Sequence, residues 1–180
     1  MAIAREQVER FLRDLGADGI PHPGGTLMTH LARVADLLAQ WGADTDVRYA
    51  GLCHAMYGTD GFDRSLLEVS ERAKLAALIG SRAEELVYLY GSCDRSAVYP
   101  RLGATPTVFT DRFTGREHDV DDAALHAFLE ITAANEFDVM VHNTELAAMH
   151  GASLYQLFAR VADHLSPAAL QAWRNHFGPR

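Results

Sequence analysis

Apolar residues recur at helical spacing along almost the whole chain, a pattern that predicts a mostly helical protein. From Ile3 to Leu15, the residues Val8, Phe11, Leu12 and Leu15 share one side and Gly16 supplies a stop. IPHPGG, Ile20 to Gly25, reads as a loop around His22. A second helix is expected from about Thr26 to Trp41, with Leu27, Leu31, Val34, Leu37, Leu38 and Trp41 inward and Gly42 as its end. Asp44 or Thr45 is placed to cap a third helix running through Val47, Ala50, Gly51 and His54 and breaking at Gly58. Ser65 to Leu78 and Ser81 to Tyr90 give two more, separated by Gly80, and Ser81 with Glu84 forms a capping-box pattern.

Cys93 to Asp119 is the long irregular stretch, in which TVFTDRFTGREHDV predicts a short hairpin around Thr114-Gly115, or a lid. Asp121 should cap a long helix to about Met149, broken by Gly151. Helices from Ser153 to about His164 and from Ser166 to Phe177 close the chain, with Pro167 at a first helical position. No repeat, low-complexity tract or linker interrupts the pattern. The expected fold class is all-α: a single domain over residues 1–180, a helical bundle with an irregular or hairpin segment at about 93–119.

Composition narrows the partners. A formal net charge of −8 argues against a general nucleic-acid binder, while leaving room for a local basic pocket. No apolar run approaches the ~20 residues that span a bilayer, and the charged, amphipathic start MAIAREQVERFLRDLG lacks an apolar signal region. A cytoplasmic protein is expected, with a small-molecule substrate and neither nucleic-acid nor membrane partners. Oligomeric state is left open by the sequence. Two cysteines, Cys53 and Cys93, make no disulfide framework. A single lysine, Lys74, against 15 arginines points to a GC-rich bacterial source and carries no chemistry.

Of nine histidines, His118, His126, His150, His164 and His176 read as solvated or capping residues. His142 shares a helix face with Asn135 and Asp138. His22, His30 and His54 differ. His30 lies among Leu27, Leu31 and Val34, so its ring must point partly inward. His54 follows Ala50-Gly51-Leu52-Cys53, where small residues allow helices to approach closely. Buried imidazoles need partners on both nitrogens, so two inward histidines on consecutive helices predict pairing or shared ligation.

At this point the chain resembles the HD superfamily, in which a histidine, a His-Asp pair and a later Asp ligate a metal inside a helical bundle. The segment THLARVADLLAQWGADTDVRYAGLCHAMYGTDGF is similar to the corresponding region of the stringent-response nucleotide hydrolases, where a helix-borne histidine precedes AALLHD. LAALIGSRAEELVYLYG is similar to their next helices, and ITAANEFDVMVHN falls where they carry a final Asp in an ADRLHN-like stretch. A bacterial branch with the pattern H-x-G-x-T-L-x-x-H-L … W-G-A … A-G-L-x-H-x-x-Y-G-T is matched by His22, Gly24, Thr26, Leu27, His30 and Leu31, then Trp41-Gly42-Ala43, then Ala50-Gly51-Leu52, His54 and Tyr57-Gly58-Thr59. The resemblance covers about residues 20–145.

This chain departs from the pattern at two acids. Ala55 replaces the Asp of the pair, and Asn135 stands where the final Asp is expected. Two imidazoles and an amide suit a hard divalent ion poorly, so no cofactor is expected. The leading expectation is a metal-independent acid–base enzyme, a lyase, dehydratase, isomerase or cyclase, tailoring a small or medium organic molecule such as a bacterial secondary metabolite. His54 and His30 would be base and acid, His22 would border the cavity, and Tyr57 would donate to developing negative charge. Thr26, Thr59, Arg72, Arg95, Asn135 and Asp138 are candidate substrate-binding residues; Arg101 and Arg112 are further candidate anchors. The alternative is a metal-dependent phosphohydrolase or iron-dependent oxygenase with His30, His54 and Asp138, or Asn135 in its place, as ligands to a divalent ion. A second alternative is a ligand-binding domain without catalysis.

Overall fold

A computed structural model describes residues 4–179; Ile3, the expected start of the first helix, lies outside them. The fold is all-α, with two small two-stranded sheets. Helix α1 (Arg5–Asp14) is followed by a tight hairpin, β1 (Pro21–His22) against β2 (Gly25–Thr26), with Pro21 opposite Thr26 and His22 opposite Gly25. Thr26 and Thr29 then form a capping box that starts α2 (Leu27–Gln40). Asp44 caps α3 (Thr45–Leu52) by accepting the Val47 amide at 3.0 Å. Helices α4 (Arg72–Ile79), α5 (Ser81–Ser92) and the short α6 (Arg95–Val98) precede the hairpin of β3 (Val108–Thr110) and β4 (Glu117–Asp119). Helices α7 (Asp122–His142), α8 (Thr144–Arg160) and α9 (Pro167–Phe177) complete the order.

The core forms around α7. From Ala127 to Asp138 every residue of this helix is buried, the pattern of an element covered on all sides, and α2, α3, α5, α8 and α9 pack on it. Phe128 meets Phe109 edge-on, and Phe158 and Phe177 gather around Trp173, whose indole donates to the Ala133 carbonyl. Helices α2 and α3 approach so closely that a Cβ on Gly51 would stand 2.1 Å from a Leu38 methyl. Among the described residues, no helix is long and apolar enough to cross a membrane.

Several boundaries differ from the sequence expectation. Helix α3 stops at Leu52 instead of reaching His54. The His54 imidazole turns back onto the Gly51 carbonyl, at 2.7 Å, and takes up an acceptor that a continuing helix would use. Helix α4 begins at Arg72, because the Leu66 and Leu67 amides are spent on the Met56 carbonyl, which holds the preceding segment as a loop. Ser81 makes no side-chain cap; Glu84 is drawn inward instead, onto Tyr57 and Arg72. The long helix ends at His142, where Asn143 caps α8 by accepting the Leu146 amide. Gly151 lies inside α8, because its missing Cβ seats the Phe177 ring.

Candidate functional site

Three segments converge under the β1–β2 hairpin. Helix α2 contributes His30 and Arg33, the turn after α3 contributes His54, and α7 contributes Asn135, Glu136 and Asp138. His30 is fully buried and paired at both nitrogens. Its Nδ1 stands 2.7 Å from Asp138 Oδ2; its Nε2 stands 3.0 Å from Asn135 Oδ1 and 3.4 Å from His54 Nε2. Arg33 grips the same carboxylate with two donors, at 2.7 and 2.9 Å. His22 lies on the His30 ring at a centroid distance of 3.9 Å, and Phe62 meets the outer imidazole edge-on.

The hydrogen-bond network assigns the tautomers. Nδ1 of His30 faces a carboxylate and Nδ1 of His54 faces a carbonyl, so each carries its hydrogen there. Asn135 turns its amide nitrogen to Glu136 Oε1, at 3.2 Å, which leaves its oxygen toward His30. Three lone pairs then meet, on His30 Nε2, His54 Nε2 and Asn135 Oδ1. Acceptors this close require a shared donor, such as a proton, a water hydrogen or a cation.

Electrostatics separates the histidines. Burial, followed by the neighbouring His30, lowers the pKa of His54 to about 3 and that of His22 to about 4. Both are neutral at pH 7. Burial opposes the ionised form of Asp138, but the hydrogen bonds from His30 and Arg33 outweigh it and hold its pKa at about 2.

A cavity of about 260 Å³ opens onto this cluster. His22, His54, Thr59, Asp60, Arg95, Asn135 and Glu136 provide its polar wall, and Leu27, Phe62, Val139 and Leu146 part of its apolar one. His30 lies behind His54. Arg95 bonds Glu136 at 3.0 Å and the Tyr90 hydroxyl at 3.3 Å, while its amide donates to Asp60. The Glu136 carboxylate holds the guanidinium in its charged form against burial.

The expected site residues thus divide. His22, His54, Thr59, Arg95 and Asn135 line one cavity, with His30 and Asp138 directly behind it. Tyr57 does not reach it. Its hydroxyl donates to Glu84 Oε1 at 2.7 Å, and burial followed by Glu84 pushes its pKa well above the ordinary phenol value. Arg72 is bound to the same Glu84 and stacks on Tyr88, and so belongs to that second cluster. Thr26 spends its hydroxyl on the capping box of α2. Arg101 pairs with Glu117 on the surface, and Arg112 bonds the Gly91 carbonyl. The set His30, His54 and Asp138 is not a trio around one point, because Asp138 binds the opposite edge of His30 from the edge that faces His54.

Arg33, Glu136, Asp60 and Phe62 belong to the site without having been expected there. Arg33 alone carried a signal: it stands one helical turn after His30.

Residues 11–95 are similar to a family described as a domain of unknown function (DUF6817). That span includes His22, His30, His54, Thr59 and Arg95 and stops before α7. No curated protein matches the chain, and no solved structure does.

Proposed function

We propose that the protein is an acid–base enzyme acting on a small organic molecule, and that His54 exchanges the proton with substrate. The observation that carries this reading is the meeting of His30 Nε2, His54 Nε2 and Asn135 Oδ1 at the floor of a cavity. His54 presents a neutral imidazole, the form a base requires, although its low pKa makes it a weak one. His30, backed by the Asp138 carboxylate, supplies the place where positive charge is stabilised. Arg95 and Thr59, both on the cavity wall, replace Tyr57 as donors to developing negative charge. The convergence of His30 from α2, His54 from the turn after α3 and Asn135 from α7 is the arrangement that the likeness to the HD superfamily leads one to expect. Substrates would be small hydroxy or carbonyl compounds met in the cytoplasm, converted by a lyase, dehydratase, isomerase or cyclase. A screen of such compounds tests this. His54→Ala should lower turnover ~10²–10⁴-fold while substrate binding persists, and equal turnover in both proteins would end the assignment.

The same three lone pairs favour a second reading. His30, His54 and Asn135 would hold a borderline divalent ion, which would supply Lewis acidity, and Asp138 would orient His30 from outside the ligand set. Elemental analysis of protein purified without added metal separates the two. Stoichiometric zinc or iron, with a melting temperature that falls on chelation, supports the second reading; metal-free protein with turnover supports the first.

A further inference from the structure

We infer that Arg33 is a positioning residue that sets the His30–Asp138 pair and closes the β1–β2 hairpin over the cavity with one guanidinium. Calling the pair catalytic rests on the acid–base reading above; the coupling itself does not.

Four of the five Arg33 donor hydrogens are committed. Two go to Asp138, from Nε to Oδ1 at 2.7 Å and from Nη2 to Oδ2 at 2.9 Å. Nη2 also donates to the Pro23 carbonyl and Nη1 to the Gly24 carbonyl, each at 3.1 Å. The same Oδ2 that takes Arg33 Nη2 also accepts from His30 Nδ1, at 2.7 Å. The carbonyls so gripped form the tip of the hairpin whose His22 lies on the His30 ring. One planar fork therefore touches both the carboxylate that orients the inner histidine and the turn that carries the outer one.

The hairpin cannot hold this position alone. Its strands are two residues long, Pro21 and Pro23 lack amide hydrogens, and so short a ladder is not independently stable. The tip is also seated on the ring of His142, against which Gly24 lies with no room for a Cβ. His142 bonds the Asp138 backbone carbonyl at 2.8 Å and approaches its carboxylate at 3.3 Å. Both anchors of the hairpin tip thus lead back to Asp138, while its base is held by the Thr26–Thr29 capping box and by Phe62 against His22. Lifting the hairpin breaks the Arg33 bonds to Pro23 and Gly24, leaves the guanidinium free to swing, and loosens the carboxylate that fixes His30.

Coupling of this kind is reciprocal, so it is tested from both ends by ¹⁵N-histidine NMR and hydrogen exchange, neither of which needs a substrate. Arg33→Lys keeps the charge beside Asp138 but cannot span both partners. The expected result is about tenfold or faster exchange at the hairpin amides, since bonds to a charged donor are lost. The His30 ring signals should shift with it, while the α9 amides remain as in the wild type. Gly24→Ala perturbs the opposite end, where a positive φ of 79° and the His142 ring both exclude a methyl group. It should open the hairpin and shift the same His30 signals, although the substitution touches neither His30 nor Asp138. The inference is overturned if either variant moves one readout and leaves the other at its wild-type value. Should Arg33→Lys fail to fold, Arg33→Gln takes its place, because Gly24→Ala also disturbs His142 and the His22 ring on His30. A His54→Ala protein with undiminished turnover would sink the acid–base reading without bearing on the coupling between Arg33, the hairpin and Asp138.

Discussion

His54 owes its low basicity to its position: burial, and then the neighbouring His30, outweigh the bond to the Gly51 carbonyl, which favours the protonated ring. This makes stability pH-dependent in a defined direction. Folded pKa values of about 3 for His54 and about 4 for His22 lie below the ordinary 6.5. Between those limits the unfolded chain binds more protons than the folded one, so stability falls as pH drops from about 6.5. Asp138 adds to the loss further down, because its contribution is present above the ordinary 3.8 and disappears as pH falls through about 2. Urea midpoints of the wild type should decline below pH 6.5, and those of His54→Gln should decline less steeply. Equal slopes would mean that His54 is not held neutral. At this scale the sequence was partly legible. The apolar neighbours of His30 and the small residues before His54 placed both rings inward, and the structure brings them together. Tyr57, three residues after His54, does not join them. The chain leaves the helix at Leu52, and the phenol is carried to Glu84.

At the scale of elements, glycine has three different uses here, and periodicity alone does not separate them. Gly42, at a φ of 84°, ends a helix as expected. Gly151 ends nothing; it admits the Phe177 ring within a continuous helix. Gly51 allows α2 and α3 to touch, with Leu38 filling the space of its absent side chain. Gly51→Ala should therefore destabilise the fold by about 1–3 kcal/mol through overpacking, read as a lower denaturant midpoint with an unchanged slope. An unchanged midpoint would show that the two helices have room to part. The boundary between α7 and α8 escaped the sequence reading because Asn143 interrupts no apolar pattern. It acts through its side-chain oxygen on the Leu146 amide, a contact visible only in three dimensions.

Over the whole molecule, the site exists because a helix buried on all sides delivers polar residues to its centre. Asp138 lies 108 positions from His30 in the chain, and Asn135 lies 105. Local pattern predicted the helix that carries both, but not the partners chosen across such separations. Glu136 was missed for that reason: it lies on α7 beside Asn135 and near Asp138, and nothing local marks Arg95 as its partner. The all-α architecture was legible because apolar spacing is local, whereas the polar network is assembled by packing. What the network is for can be read by following proton exchange itself. Wild-type protein and His54→Gln would be incubated in D₂O with a small carbonyl compound that binds the cavity. Deuterium uptake into that compound would be recorded by NMR, beside the melting temperature of each protein. The expected result is uptake by the wild type and a rate ~10²-fold or more lower in His54→Gln, at a similar melting temperature. Equal rates in the two proteins would contradict the assignment of His54 as the residue that exchanges the proton.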